Sequence, residues 1–457
     1  MIETAPRRAS PPATPHLTTS RGAALYIGAL LGPGLLLLPG LAVTVAGPAS
    51  LLAWVALLAL SALFAVVFAA FGLRLPSAGG VIGYVTAGLG PRAGLAAGWC
   101  FLAGVVAGAP VVCLIGASYV TELTGGGRLA RAGVAALLLL VLLALARRGL
   151  RASAVAQLLL VILLVGVVAV AVAGTAGSVR AANWTPFAPH GWLAVAHAAA
   201  ILTLSFVGWE AVAPLTTAFP DPARQLTRVV AIALAVTSAL YLGLAIVTIG
   251  ALGPGAATIV PLAELLQRAI GPAGTAVAAV AAVVLTLGSV NAYINGGAAM
   301  AGHLTRPHPA VSAVGNAGEA PPAPRFLAAV AASGLLLITL YGCGLVSPAA
   351  LVAIPTTLFL AVYLGCMLAA VRVLRGPARW AAVPASAAVA VMLACSGWAL
   401  VLPALVSVAV TWPRRRAARR RLGQSRQVKQ LPPRHHQIAD AHQPGHRRST
   451  AGGDLQQ

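Results

Sequence analysis

The chain has 457 residues, of which 59% are hydrophobic and only 8% are charged. Soluble domains carry about 25% charged residues, so this composition argues against a soluble enzyme, a disordered protein and a nucleic-acid-binding domain. The formal net charge of +22 does not indicate nucleic acid, because eleven of the 30 basic residues follow Trp412 and most others lie in short loops. Apolar runs of about 20 residues, each able to cross a bilayer as a helix, predict an all-α polytopic membrane protein.

The predicted elements begin with a tail and continue through twelve membrane spans. Residues 1–21 are rich in Pro and Thr, which predicts a disordered cytoplasmic tail; the next apolar run is too long for a signal peptide. The spans are predicted at approximately residues 23–45, 49–72, 93–120, 129–146, 153–174, 194–218, 229–252, 272–300, 326–342, 348–371, 379–395 and 397–413. A basic tail at 414–457, predicted to be disordered and cytoplasmic, ends the chain.

The charges in the loops orient these spans. With the N-terminus inside, 15 arginines before the C-terminal tail fall on the cytoplasmic side, and four fall outside, namely Arg128, Arg131, Arg180 and Arg268. This bias follows the positive-inside rule, and an error of one span would destroy it. We therefore expect both termini in the cytoplasm. The Arg-rich tail is expected to bind anionic lipid at the membrane surface.

Two spans contain residues that interrupt a regular helix. The first carries Gly32-Pro33-Gly34, whose proline lacks an N–H and clashes with the preceding turn, and the sixth carries Gly208. Unwound backbone at membrane depth is tolerated only where it is buried in protein or lines a cavity. Because the breaks are five spans apart, a second five-helix unit would enter the membrane inverted. This predicts an inverted repeat with a binding site between its halves; ordinary kinks are the alternative.

Glu210 is the one acidic residue of eight that falls within an apolar span. A carboxylate at the centre of a membrane helix costs about 2.5–3.5 kcal/mol on insertion scales, so it is a functional candidate. No span contains a lysine that could pair with it. Loss of water disfavours the charged form, which suits proton binding. The alternative is a structural acid that caps broken backbone.

Other polar positions in the spans are few. Asn291 and Tyr293 in span 8 and Thr356 in span 10 are candidates for a pocket, with hydrogen bonds between helices as the alternative role. The five cysteines lie in apolar stretches without metal-ligand spacing, and are expected to pack as small apolar residues. The sequence shows no catalytic set, metal cluster or phosphate loop, so no enzyme activity, metal or cofactor is predicted.

Five short motifs occur in order along the chain. They are Gly32-Pro33-Gly34 followed by Pro39-Gly40, then Arg74-Leu75-Pro76-Ser77-Ala78-Gly79-Gly80, Gly98-Trp99, Phe206-x-Gly208-x-Glu210, and Asp221-Pro222-x-Arg224. With these motifs, roughly residues 22–412 resemble the amino acid–polyamine–organocation (APC) superfamily of transporters. The short last two spans and Ser289-x-Asn291-x-Tyr293 look most like the bacterial exporters of methionine and branched-chain amino acids.

The resemblance implies a fold and its boundaries. The fold would be twelve transmembrane helices in a LeuT-like 5+5 inverted repeat with two C-terminal helices. The first repeat would occupy 22–174, the second 175–371, and helices 11 and 12 would occupy 372–413.

The resemblance also implies a substrate site at the two breaks. Gly34 and Leu35 would donate N–H groups to a carboxylate at a helix N-terminus, and the substrate ammonium would meet carbonyls freed near the breaks. Phe206 looks like part of an aromatic gate, and Glu210 would couple protonation to opening. The predicted substrate-binding residues are Leu30, Gly32, Pro33, Gly34, Leu35, Leu204, Phe206, Val207 and Gly208.

Two departures from the family pattern bear on the substrate. Pro33 stands where the family has Ser or Thr, which removes a hydroxyl and an N–H donor from the carboxylate site. Leu204 stands where an arginine-exporting branch has Trp, and a cationic side chain would need a second carboxylate besides Glu210. A neutral, apolar amino acid therefore fits better.

The sequence predicts a secondary-active transporter that exports neutral, aliphatic or sulfur-containing amino acids across the plasma (bacterial inner) membrane in exchange for protons. A proton-driven uptake permease of the same fold stays open, because gradients set the direction. An alternative of another class is a membrane sensor or scaffold that no longer transports. The expected partners are the amino acid, protons and the lipid bilayer, without nucleic acid; the oligomeric state, including a homodimer, stays open.

Overall fold

The computed structural model describes residues 18–410, except residue 33 and residues 76–79, 150–153, 212–218, 220 and 306–321. Within these ranges the chain forms helices and turns, without β-strands. The helices in chain order are α1 Thr19–Leu30, α2 Gly34–Ala46, α3 Ser50–Arg74, α4 Val81–Leu89, α5 Pro91–Thr124, α6 Arg128–Arg147, α7 Ala154–Thr175, α8 Leu193–Leu202, α9 Pro222–Leu252, α10 Pro261–Ile270, α11 Ala273–Thr305, α12 Pro324–Gly342, α13 Pro348–Val373, α14 Pro377–Ala394 and α15 Gly397–Val410.

Capping residues explain where several of these helices begin and end. Thr18, Asp221 and Ser347 precede α1, α9 and α13, and each side chain accepts a hydrogen bond from the backbone N–H three residues on. Because Asp221 caps the helix and Pro222 fits its first position, α9 begins earlier than the predicted residue 229. Gly125 ends α5 in the left-handed conformation, with φ 72°.

Most of the described helices match the length and composition of membrane spans. Nine segments are long and apolar enough to cross a membrane, the first of them running from Gly34 to Arg74 through α2 and α3. Two shorter apolar helices occupy Leu193–Ser205 and Gly397–Val410. An all-helical membrane fold is therefore confirmed for the part of the chain that the structure describes, whereas the count of twelve spans and the 5+5 repeat stay predictions.

The predicted spans 1 and 6 are interrupted near Gly32 and Gly208, as the sequence predicts. α1 ends at Leu30 and α2 begins at Gly34, and Pro33 lies outside the described residues. α8 ends at Leu202 and is followed by two short 3-10 turns, Thr203–Phe206 and Trp209–Ala211, on either side of a non-helical step.

The two interrupted segments pack against each other and against the longest helices. α2 contacts α8 and the turn Thr203–Phe206, while α1 contacts the turn Trp209–Ala211. α9 packs along α1 and α3, and α5 packs along α11 and α13. The backbone freed by both interruptions is therefore enclosed by protein, the arrangement that membrane depth requires.

Candidate functional site

The first interruption is held by short backbone hydrogen bonds around Gly32. The Gly32 N–H donates to the Leu30 carbonyl at 2.9 Å, and the Leu35 N–H donates to the Gly32 carbonyl at 3.1 Å. A methyl group on Gly32 would meet no described atom within 4 Å. The described residues therefore leave room for a side chain at Gly32, next to the N-terminus of α2.

The second interruption depends on Gly208. Its φ of 141° lies in a region that residues with a side chain rarely adopt. This conformation turns the Gly208 N–H toward two oxygen atoms, the Glu210 Oε2 at 3.0 Å and the Tyr363 hydroxyl at 3.1 Å. The glycine therefore lets the backbone bind side chains of its own segment and of α13.

Tyr241, on α9, joins the two interruptions. Its hydroxyl lies 3.0 Å from the carbonyl oxygen of Leu30 at the end of α1 and 3.0 Å from that of Ser205 in the second break. The ring is buried and stacks on Trp54 of α3, with 5.1 Å between centroids and 24° between planes. One phenol thus stabilises two carbonyl groups that have lost regular helical partners.

Glu210 is half-buried in the turn after Gly208, and its carboxylate is bound by a tyrosine. The Tyr363 hydroxyl donates to Glu210 Oε2 at 2.5 Å and accepts from the Trp209 N–H at 3.3 Å. Arg224 and Asp221 form an ion pair on the surface. Among the described residues, no cation forms an ion pair with Glu210. Its donors within the described part of the chain are therefore neutral, and it can exchange a proton there without breaking a salt bridge.

Trp209 links this turn to α1 and α3 through hydrogen bonds. Its indole N–H donates to the Ser61 hydroxyl at 2.7 Å, and its carbonyl accepts from the Tyr26 hydroxyl at 3.2 Å. The Tyr26 and Trp209 rings are 5.6 Å apart, and both side chains are fully buried. Movement of the Glu210 turn would therefore move groups on α1 and α3 as well.

A small apolar cluster, separate from the main core, lies beside the second break. Val105 of α5, Val207 of the break and Phe359 of α13 form its buried centre, and three partly buried side chains surround it, those of Phe101, Leu204 and Tyr293. The Phe101 and Phe359 rings meet edge to face at 5.6 Å. These six residues are called the apolar cluster below. Its polar group is the Tyr293 hydroxyl, which is close enough to Glu210 to interact with it electrostatically.

Of the other predicted pocket residues, Tyr293 lies in the apolar cluster, whereas Thr356 and Asn291 form hydrogen bonds within their own helices. The Thr356 hydroxyl donates to the Val352 carbonyl of its own helix at 2.6 Å. The Asn291 carbonyl and side-chain oxygens accept from the Asn295 amide at 2.8 and 3.2 Å. The Phe206 side chain lies outside the described part of the chain, so its predicted role as a gate stays a prediction.

Sequence reasoning missed the side chains that hold the site together. They are Tyr26, Ser61, Trp209, Tyr241 and Tyr363. The available signal was that hydroxyl-bearing aromatic residues are scarce, since the chain has only seven tyrosines, and those in apolar spans must find partners for their hydroxyls. The partners themselves depend on which helices meet, which the sequence alone did not specify.

Interrupted helices that meet inside a membrane fold, and leave backbone groups for a ligand, are typical of secondary transporters. Comparison with known proteins agrees. The chain belongs to the amino acid permease family, whose sequence model, described as Amino acid permease, matches residues 17–413. The resemblance drawn from the motifs is thereby confirmed.

Individual relatives place the chain among transporters rather than enzymes. It is 32% identical over 397 residues to the uncharacterized amino acid permease YecA of Bacillus subtilis (strain 168), covering 86% of this chain and 94% of the relative. It is 29% identical over 419 residues to the L-methionine/branched-chain amino acid exporter YjeH of Escherichia coli (strain K12), covering 87% and 95%. A partial match, 25% identical over 225 residues, relates 46% of the chain to 49% of the methylthioribose transporter of Bacillus subtilis.

Proposed function

We propose that this permease exports neutral amino acids with aliphatic or sulfur-containing side chains in exchange for protons. The observation that carries the proposal is the position of the apolar cluster, which shares Leu204 and Val207 with the second break. A substrate whose ammonium and carboxylate bind at the breaks would place its side chain against this cluster. The amino acid exporter named above is a relative over most of its length, which agrees with this substrate class.

The backbone of the site suits the two charges that every amino acid carries. The first turn of α2 presents N–H groups and the positive end of a helix dipole, which favour a carboxylate. The carbonyls near α1's end and in the second break favour an ammonium. Among them, the Leu30 and Ser205 carbonyls already accept from Tyr241, so Leu204 and Val207 are the carbonyls we assign to the substrate ammonium.

The side-chain specificity follows from the composition of the apolar cluster. A cationic side chain would need an anionic partner, and Glu210 is already bound by Tyr363 and Gly208. An apolar side chain needs only the removal of its surface from water, at about 25 cal/mol per Å². Leucine, isoleucine, valine and methionine are therefore the substrates we expect.

Glu210 is our candidate for proton coupling. Its carboxylate binds groups on its own segment and on α13, and the adjoining Trp209 binds α1 and α3. Protonation would remove the charge that Tyr363 and Gly208 stabilise, and would weaken the contact between the second break and α13. The same groups that bind the proton would then control the movement of the interrupted segments.

The architecture we propose is twelve spans in a 5+5 inverted repeat with both termini in the cytoplasm of a bacterium. Its support is the bias of arginines toward one side and the placement of interruptions five spans apart. Spans 1, 2, 6 and 7 would rock against spans 3, 4, 8 and 9. The basic tail would rest on anionic lipid.

Counterflow in proteoliposomes tests the proposal. Vesicles are loaded with one unlabelled amino acid, and labelled leucine or methionine is added outside. We expect accumulation when the internal amino acid is neutral and apolar, and none when it is arginine or glutamate. Absence of counterflow with every amino acid, in protein shown to be folded, would contradict transport of this class.

Deletion of the residues after Trp412 separates a transporter from a sensor that signals through its basic tail. A transporter is expected to keep its flux, because the predicted site lies in the interrupted spans. Loss of flux in a truncated protein that still reaches the membrane would favour the sensor.

A further inference from the structure

The N-terminus of α2 has fewer donors for a carboxylate than an ordinary helix. Pro33 precedes it and supplies neither an N–H nor a hydroxyl. The Leu35 N–H is directed to the Gly32 carbonyl. A carboxylate offers two oxygens with about four acceptor sites, so one bound at this helix end needs a donor from another element.

The second break places a hydroxyl at that helix end. Ser205 is 2% exposed, and its Oγ forms no hydrogen bond with the described residues. A Cβ built on Gly34, the first residue of α2, would lie 3.0 Å from this Oγ. The hydroxyl therefore faces the first turn of α2, and only a glycine at position 34 leaves it uncovered.

The backbone that carries this hydroxyl is held at both breaks. The Ser205 carbonyl accepts from Tyr241, whose hydroxyl also bonds Leu30 at the end of α1. The Tyr241 oxygen is a nearby acceptor for the Ser205 hydroxyl, but the Ser205 Oγ reaches no described partner in good hydrogen-bonding geometry. A carboxylate is charged and accepts more strongly than a neutral phenol, so a bound carboxylate can take the Ser205 proton.

Other unpaired hydroxyls make the position of Ser205 informative. Among the described residues, four buried side-chain oxygens have no partner, those of Ser50, Tyr84, Ser205 and Thr248. Ser205 alone among these four lies in an interrupted segment. A buried hydroxyl without a partner costs free energy. A ligand that accepts a hydrogen bond from Ser205 would remove this cost, at the place where the substrate is expected.

We propose that the Ser205 hydroxyl donates a hydrogen bond to the substrate carboxylate at the N-terminus of α2, in place of the donors that Pro33 lacks. This assignment rests on the proposed function. The carboxylate is then held by both interrupted segments, by α2 through backbone N–H groups and by the second break through a side chain. Binding of the substrate draws the two segments together.

The test compares leucine with 3-methylbutylamine, which is leucine without its carboxylate, as competitors of labelled methionine counterflow. In Ser205→Ala, the concentration of leucine for half-inhibition rises about tenfold, as expected for a lost hydrogen bond to a charged group. That of 3-methylbutylamine changes less than twofold. Ser205→Cys keeps a similar side chain with a weak donor and shows the same selective loss.

Two further variants separate binding from structure. Thr203→Val removes a hydroxyl from the same turn, but one that already bonds the Ala199 carbonyl at 3.0 Å, so the ratio between the two competitors stays as in the wild type. Pro33→Ser combined with Ser205→Ala returns a hydroxyl and an N–H at the residue that precedes α2 in the sequence. It restores leucine affinity to within about threefold of the wild type.

The outcomes are distinguishable. Wild-type flux together with unchanged leucine affinity in Ser205→Ala overturns the Ser205 assignment and leaves the proposed function standing. An equal loss for both competitors that Pro33→Ser does not repair also overturns it, because a packing defect has that pattern. Absence of amino acid counterflow in the wild type overturns the proposed function and this inference with it.

Discussion

At the residue scale, tyrosine hydroxyls stabilise the backbone that the interruptions leave without helical partners. Tyr26, Tyr241 and Tyr363 bind the second break, and Tyr119 of α5 donates to the Leu36 carbonyl of α2 at 2.6 Å. A backbone group left unpaired at membrane depth costs several kcal/mol. A phenol supplies the missing hydrogen bond while its ring packs among apolar side chains, and Glu210 adds an acceptor for the Gly208 N–H.

Tyr241→Phe tests this role. The change removes the hydroxyl between the Leu30 and Ser205 carbonyls, and the free energy of unfolding is expected to fall by about 1–3 kcal/mol because buried acceptors lose a donor. Thermal unfolding of the purified protein measures the loss. Tyr341→Phe is the matched control, since the Tyr341 hydroxyl accepts from Arg131 away from the breaks. Equal stability of the two variants would contradict a special role for Tyr241.

Glu210→Gln tests proton coupling at a single side chain. Glutamine still accepts from Tyr363 and Gly208, but it cannot gain or lose a proton. Exchange of leucine is therefore expected to become independent of pH, while leucine affinity stays within about threefold of the wild type. Glu122→Gln changes an exposed carboxylate at the end of α5 and should keep the wild-type profile. An unchanged pH profile in Glu210→Gln would exclude Glu210 as the coupling residue.

At the element scale, α10 and the loop before it lie against α2. The Tyr119 hydroxyl accepts from the Leu262 N–H of α10 at 3.3 Å while it donates to α2. A Cβ on Gly40 of α2 would collide with the carbonyl oxygen of Thr258 in that loop. The absence of a side chain at Gly40 therefore allows the loop before α10 to lie against the middle of α2.

Gly40→Ala should loosen the contact between α2 and the loop before α10. Ser118→Cys, placed in a background without the five native cysteines, reports the change, because Ser118 is 5% exposed and lines a small cavity of about 30 Å³ with Leu37 and Ile259. We expect a maleimide to label it at least several-fold faster in Gly40→Ala. Gly133→Ala is the control, since a Cβ there meets no described atom within 4 Å. Equal labelling rates would contradict a closed contact at Gly40.

Glu264 makes the packing of α10 sensitive to pH. Partial burial raises the pKa of this carboxyl, and the nearby Glu122 raises it further, while a hydrogen bond from Thr258 and the charge of Arg268 oppose the shift. A carboxyl with a raised pKa binds more protons in the folded state than in the unfolded state. The loss of folding stability caused by ionising Glu264 is therefore absent at low pH. It grows as the pH rises from the ordinary pKa of glutamate through the raised pKa.

Glu264→Gln removes this penalty. The variant is expected to be more stable than the wild type at neutral pH, and the two should converge in acid, below the ordinary pKa of a glutamate. Thermal unfolding between pH 4 and 8 measures the difference. A constant difference across this range, or a wild type that gains stability with rising pH relative to the variant, would contradict the pKa shift.

At the scale of the whole molecule, the sequence predicts the membrane helices better than their connections. Long apolar runs such as that of α5 have one favourable structure in a membrane, so their position follows from composition. The short helices α4 and α10 were missed, because nine and ten residues are too few to cross a membrane and these helices form against neighbouring helices. The early start of α9 depended on Asp221, a cap that hydropathy does not register.

The backbone interruptions of the candidate site were predictable from the sequence, but the side chains that bind them were not. Gly32 and Gly208 mark the interruptions because only certain residues permit them. The pairing of Glu210 with Tyr363 joins residues 153 positions apart, and it depends on how α13 packs against the second break. Ser205 does not stand out in the sequence, since its proposed role rests on its facing Gly34 without a hydrogen-bond partner among the described residues.

The central claim is exchange of a neutral amino acid for a proton, and an imposed pH gradient across proteoliposomes tests it most directly. Vesicles with an acidic interior are given labelled leucine outside, with and without a protonophore. The account predicts that leucine accumulates inside as protons leave, and that the protonophore abolishes the accumulation. Accumulation only when the outside is the acidic side would contradict exchange and indicate a proton-driven uptake permease, and no response to either gradient would contradict proton coupling altogether.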